Sequence, residues 1–145
     1  MCEFRHHDFQ IGLPAQWVDS STVILVGPAD GNFSPNITIT RERLASPSTA
    51  QEYAASQLRE LSGALEGQGY RVLQEAPMTA GKTPAYQRLH TFSIPDANVQ
   101  VRQWQVYITQ QEDAITITCT DKVDTFEESF KVFREAVSLF RFEAT

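Results

Sequence analysis

Between residues 70 and 120 the chain offers four extended segments with only short turns between them, and strands joined that tightly have to pair antiparallel. Residues 70–78 read as one strand. Ala80-Gly81-Lys82-Thr83 reads as a turn, and residues 85–94 and 99–110 form a hairpin through Pro95-Asp96-Ala97-Asn98. Gln111-Glu112-Asp113 then turns the chain into residues 114–120, where Ile115, Ile117 and Cys119 alternate with threonines. Upstream, residues 4–13 predict a strand ended by Pro14, and residues 36–41 alternate cleanly, with Ile37 and Ile39 on one face and Thr38 and Thr40 on the other. The segment STVILVG, residues 21–27, is apolar on both faces: Val23 and Leu25 share one, Thr22, Ile24 and Val26 the other. Trp17, between the first two strands, is expected to plug the core.

Two helices break the series. The first runs from Thr49 to about Leu65, with Ala50, Tyr53, Ala54, Leu58, Leu61 and Leu65 on a helical stripe. Thr49 and Glu52 have capping-box spacing, and Gly67 and Gly69 stop the helix. The second carries Phe126, Phe130, Phe133, Val137 and Phe140 at spacings of four, three, four and three, behind a second box of Thr125 and Glu128. Burying one phenylalanine contributes roughly 1.5–3 kcal/mol, so this stripe is core. The order of three strands, helix, four strands, helix predicts an α+β domain over residues 1–145. Its expected form is a mainly antiparallel, twisted sheet of about six to seven strands with two principal helices packed on it.

Catalytic chemistry is hard to assemble from these residues. His6 and His7 are adjacent on a strand and point to opposite faces, so one metal ion cannot easily take both. His90 has no Cys, Asp or Glu near it in sequence. The Gly81-Lys82-Thr83 end of a phosphate loop lacks its earlier glycine, because Ala76 stands there, and it leads into a strand. Asn36-Ile37-Thr38 is a formal glycosylation sequon that has no use without secretion. No enzymatic activity, metal or cofactor is expected. The net charge of −6 argues against nucleic acid and anionic membranes as partners. No apolar leader and no run of about 20 apolar residues is evident, so a cytoplasmic protein with no direct membrane insertion is expected. Cys2 lies near the start and Cys119 continues a core alternation; a disulfide between them is not expected.

Two glutamines stand out. Gln57 lies inside the apolar stripe of the first helix, one turn from Tyr53 and one from Leu61. Gln105 lies mid-strand in the apolar run 104–108. A buried amide without partners costs about 1–3 kcal/mol. Each is therefore either satisfied within the chain or kept to meet a partner's polar groups. Ile24, Val26, Thr38, Gln105 and Tyr107 would share one sheet face, apolar with scattered amides and hydroxyls. That face is either covered by a helix of the same chain or a second copy, or left open for a partner.

The segments FQIGLPAQWVDSSTVILV, NITITRER, YAASQLRELSGAL and WQVYIT…AITITCT resemble the Eag-type chaperones of bacterial type VI secretion effectors. These belong to the DcrB-like superfamily, which shares the fold of the plant PsbP and yeast Mog proteins. The resemblance runs from about Phe4 to the last helix. It rests on a Leu-Pro-x-x-Trp near the start, a Tyr-x-x-x-Gln-Leu helix and a Gln-Val-aromatic-Ile strand. It implies a PsbP/Mog-like fold and a cytoplasmic homodimer. The dimer would hold the N-terminal transmembrane region of a PAAR or Rhs effector in an apolar groove before export. Carried over by alignment, the groove residues are Thr22, Ile24, Thr38, Gln57, Leu65 and Gln105; Thr22 and Thr38 stand where larger aliphatic residues would be expected. A soluble DcrB-like module that binds another protein, without a secretion role, is the alternative.

Overall fold

The strands of the second half zip together in sequence order. The computed structural model describes residues 1–143. In it β5 (Arg71–Ala80), β6 (Thr83–Ile94), β7 (Val99–Gln110) and β8 (Asp113–Lys122) are successive antiparallel neighbours. β4 (Asn36–Arg43) pairs with the far side of β8, and β3 (Val23–Val26) with the outer side of β4. The result is one six-stranded antiparallel sheet in the order β3-β4-β8-β7-β6-β5. Helix α1 (Ala50–Ala64) links β4 to β5, and α2 (Phe126–Ser138) follows β8. The expected α+β architecture is the one found.

Residues 4–13 are a correction. They do not form one strand but the greater part of a hairpin, β1 (Cys2–His6) and β2 (Phe9–Leu13), that makes a separate two-stranded ribbon. The reversal falls at His7, whose φ of 51° places it in the left-handed region that tight turns require.

One face of the main sheet carries the core. Trp104, Val106, Ile108, Ile115, Ile117 and Cys119 are buried there against Phe126, Phe133 and Val137 of α2, with Phe130 and Phe140 packed alongside. The phenylalanine stripe thus closes the sheet, as its spacing requires. The second capping box does not form. Thr125 makes no bond to the helix backbone. Its hydroxyl donates instead to Asp121 Oδ2 at 2.8 Å, as does the Ser129 hydroxyl at 2.6 Å. Asp121 is buried at the end of β8, and it outcompetes the helix end because a carboxylate accepts charge-assisted bonds. The first box forms in part: Glu52 N–H donates to Thr49 Oγ1 at 3.1 Å, and the Thr49 hydroxyl donates to the Glu52 carboxylate at 3.0 Å. Trp17 is another correction. It is 69% exposed on the coil between β2 and β3, and Trp104 plugs the core instead.

Candidate functional site

The second face of the sheet is built in rows. Antiparallel register places directly opposed residues on the same side. Ile24 opposes Thr38, Thr38 opposes Thr118, Thr118 opposes Gln105, Gln105 opposes Arg88 and Arg88 opposes Glu75. One row therefore crosses all six strands and contains three of the expected groove residues, Ile24, Thr38 and Gln105. A neighbouring row runs Val26, Asn36, Thr120, Gln103, His90 and Val72. Along both, character changes from aliphatic at β3 to hydroxyl and amide in the middle; the first row then ends on charged Arg88 and Glu75, the second on His90 and the aliphatic Val72.

Helix α1 covers part of this face. Tyr53 and Ala54 are buried with Tyr107 and Ala114 beneath it. The Tyr53 and Tyr107 rings meet edge to face, with centroids 6.0 Å apart. Burial pushes both hydroxyls well above the ordinary tyrosine range. The helix leaves the β3 end of the rows bare. Ile24 is 63% exposed, Val26 is exposed, and Thr38 and Thr118 are half-buried. Thr22 is exposed immediately before β3, and Leu65, half-buried, is the C-cap residue of α1.

The two glutamines part company. Gln105 is 7% exposed and satisfied inside the chain: Nε2 donates to Thr118 Oγ1 at 3.2 Å, and Oε1 accepts from the Tyr107 hydroxyl. Its amide is the link that ties β7 to β8 under α1. Gln57 is half-buried, and its Nε2 lies 3.4 Å from Glu42 Oε1, a surface contact. That one long contact leaves most of the amide's bonding capacity unused within the chain. The two amides share the face without touching each other.

A buried cation was not singled out in the sequence. Arg88 is 1% exposed. Its Nε donates to Glu75 Oε1 at 2.7 Å, Nη1 to the Tyr107 hydroxyl at 2.9 Å and Nη2 to the Ala54 carbonyl at 2.9 Å. The only available signal was its position among alternating residues on the face opposite Leu89. Beside it, His90 is fully buried. Its Nε2 lies 2.7 Å from Gln103 Oε1, which only accepts, so Nε2 carries the proton and Nδ1 accepts from the Tyr70 hydroxyl at 3.2 Å. Burial lowers the His90 pKa, against the bond to Gln103 and with help from the Arg88 charge.

Among the described residues no three or more of His, Cys, Asp and Glu gather as a metal site would need. Both cysteines are free, and burial pushes the Cys119 thiol up to about 12. Among the described residues no helix is long and apolar enough to cross a membrane. An aliphatic edge beside hydroxyls and a partly free amide suits an apolar partner with polar backbone groups.

The sequence pattern of the DcrB family matches residues 9–138. The fold is similar to that of the protein of unknown function PA94 from Pseudomonas aeruginosa. That likeness has a TM-score of 0.81 at 18% identity, over 100% of this chain and 99% of that one. It is also similar to cyanobacterial PsbP from Synechocystis sp. PCC 6803, with a TM-score of 0.55 at 11% identity, over 88% of this chain and 95% of that one. No curated protein sequence matches the chain.

Proposed function

The chain belongs to the DcrB family, and from that premise we propose that it is a chaperone for the N-terminal transmembrane segments of a PAAR- or Rhs-type type VI secretion effector, working in the cytoplasm as a homodimer without catalysis or cofactor. The observation that carries this reading is the bare end of the second sheet face, where Ile24 and Val26 stand exposed on an edge strand beside the hydroxyls of Thr38 and Thr118. Soluble proteins seldom leave such an edge uncovered unless something is meant to cover it.

A transmembrane segment presents about 20 apolar residues that would aggregate in water. A helix laid in a groove hides one side of itself. Transmembrane helices often have faces of small residues where backbone polar groups lie close to the surface. Hydroxyls at Thr22 and Thr38 and the amide of Gln57 offer such faces the contacts a neighbouring helix gives in the bilayer. Threonine also leaves more room than a larger aliphatic residue, which favours close backbone approach. Ile24 and Leu65 supply the apolar contact. Gln105, with its amide bonded inside the chain, holds the neighbouring Thr118 hydroxyl and acts through the shape of the face.

Co-purification tests the reading. An effector's N-terminal hydrophobic fragment, encoded beside this chain's gene, is expressed with the full chain and with the Ile24→Gln variant. The wild-type chain retains the fragment in the soluble fraction, and Ile24→Gln loses at least tenfold of that yield with an unchanged thermal melt. Equal recovery by both proteins overturns the role assigned to this face.

A further inference from the structure

A cavity of about 390 Å³ opens between α2 and strands β5 to β7, on the core side of the sheet and at the end opposite β3. Its volume is at the lower end of the range that small ligands occupy. Trp104 forms its base, 3% exposed, with the Phe130 ring edge-on to the indole at a centroid separation of 5.1 Å. Met78 and Val137 complete an apolar wall. The polar groups around this wall are chiefly donors. Gln87 Oε1 accepts from the Trp104 indole N–H at 2.8 Å, so the free end of this amide is its NH2 group. Arg134 is exposed at the mouth, its guanidinium 4.9 Å from the Phe130 ring centroid, and it makes no ion pair among the described residues. No aspartate or glutamate among the described residues lines the cavity. In a chain with 18 acidic and 12 basic residues, an unpaired arginine over an apolar pocket reverses the local charge.

We propose that this pocket binds a small organic monoanion, a carboxylate carried on an aromatic body about the size of one side chain. The ring lies against Trp104, Phe130 and Met78, where edge-on contacts and the thioether suit an aromatic group. The carboxylate takes paired bonds from the Arg134 fork and a further one from the Gln87 amide. A neutral analogue of the same shape forgoes the charge-assisted bonds, and a cation meets only donors. One arginine matches one negative charge, which sets a monocarboxylate ahead of a phosphate dianion. The parts are held before the ligand arrives: the bond from Trp104 to Gln87 fixes the base, and stacking on Phe130 keeps the guanidinium at the mouth. A cavity this size is filled by one ring and its carboxylate, which favours a free acid over a peptide chain. The site lies away from the bare β3 end of the opposite face, so it stands or falls independently of effector capture.

The test uses the full chain, with hydrocinnamate as the probe and hydrocinnamide as its neutral counterpart. Each of the two tryptophans gives an indole N–H signal in the NMR spectrum, and Trp17→Phe assigns the one from Trp104. Hydrocinnamate should shift the Trp104 signal saturably, with a Kd of about 1 mM or tighter. Hydrocinnamide should bind at least about tenfold more weakly, a comparison that needs no change to the pocket. Arg134→Gln, at an exposed side chain, should weaken hydrocinnamate at least about tenfold with an unchanged melt, and should leave hydrocinnamide binding as it was. A Trp104 signal unmoved by about 10 mM acid overturns the proposal. Equal binding of acid and amide overturns it too, as does an Arg134→Gln protein that binds the acid like the wild type. So does a peptide ending in phenylalanine that binds at least about tenfold tighter than the free acid, which would assign the pocket to a protein terminus.

Discussion

Arg88 Nη2 donates to the Ala54 carbonyl oxygen across 2.9 Å, joining the middle of β6 to the second turn of α1. The carbonyl already belongs to a helix, so the contact fixes the helix position as well as its presence. The same guanidinium reaches Glu75 on β5 and Tyr107 on β7, so one planar fork sets where α1 lies and how much of the face it leaves bare.

Replacing Arg88 therefore tests the scaffold. Arg88→Met keeps the volume but removes the donors to Glu75, Tyr107 and the Ala54 carbonyl, and should cost about 3 kcal/mol. Arg88→Lys should not rescue it, because an ammonium cannot span three acceptors. Glu75→Gln, at a side chain that remains 32% exposed, should cost under about 1 kcal/mol. Urea denaturation measures all three. An Arg88→Met loss no larger than that of Glu75→Gln would contradict the role given to the fork.

Gly81 makes a sharper case. Its φ is +60°, and a Cβ there would collide with the Phe140 carbonyl oxygen just past α2. Gly81→Ala meets both penalties and should destabilise by about 2 kcal/mol or more. Gly31, also at positive φ but with nothing within 4 Å of its missing Cβ, is the control: Gly31→Ala should cost about 1 kcal/mol. Equal losses would remove the Phe140 contact from the argument.

What the sequence made legible was whatever obeys a period. Strands β4 to β8, both helices and the core role of Phe126 and Phe133 follow from alternation and from helical spacing. Ile24, Thr38 and Gln105 were expected on one face, and strand parity puts them there in a single row. Features that depend on distant partners were not legible. Arg88 looks like any outward strand residue until Ala54 arrives above it, and Thr125 looks like a cap until Asp121 takes its hydroxyl. Trp17, expected in the core, lies exposed on coil; its neighbours in sequence say nothing about whether a pocket within the same chain awaits it.

The two glutamines should separate in a paired experiment. Gln105→Leu leaves the Tyr107 hydroxyl without its acceptor and Thr118 without its donor, so it should cost about 1–2 kcal/mol. Its coupling to Tyr107→Phe in a double-mutant cycle should exceed about 0.5 kcal/mol. Gln57→Leu removes only a surface contact to Glu42 and extends an apolar stripe, so the melt should hold while effector capture weakens. A stable Gln105→Leu protein, or a Gln57→Leu protein that captures normally, would each contradict the part assigned to that residue.

His90 should make stability depend on pH in the weakly acidic range. The folded chain keeps its ring neutral, with the pKa lowered from 6.5 chiefly by burial. The unfolded chain binds a proton near that ordinary value. Between the lowered pKa and 6.5 the unfolded state holds more protons, so stability must fall as pH falls through this window and level off below it. His90→Gln, which can still donate toward Gln103, should abolish that slope while carboxylate titration at lower pH persists. Denaturation midpoints collected across the window decide the point: parallel profiles for wild type and His90→Gln would show that the buried ring is not the group responsible.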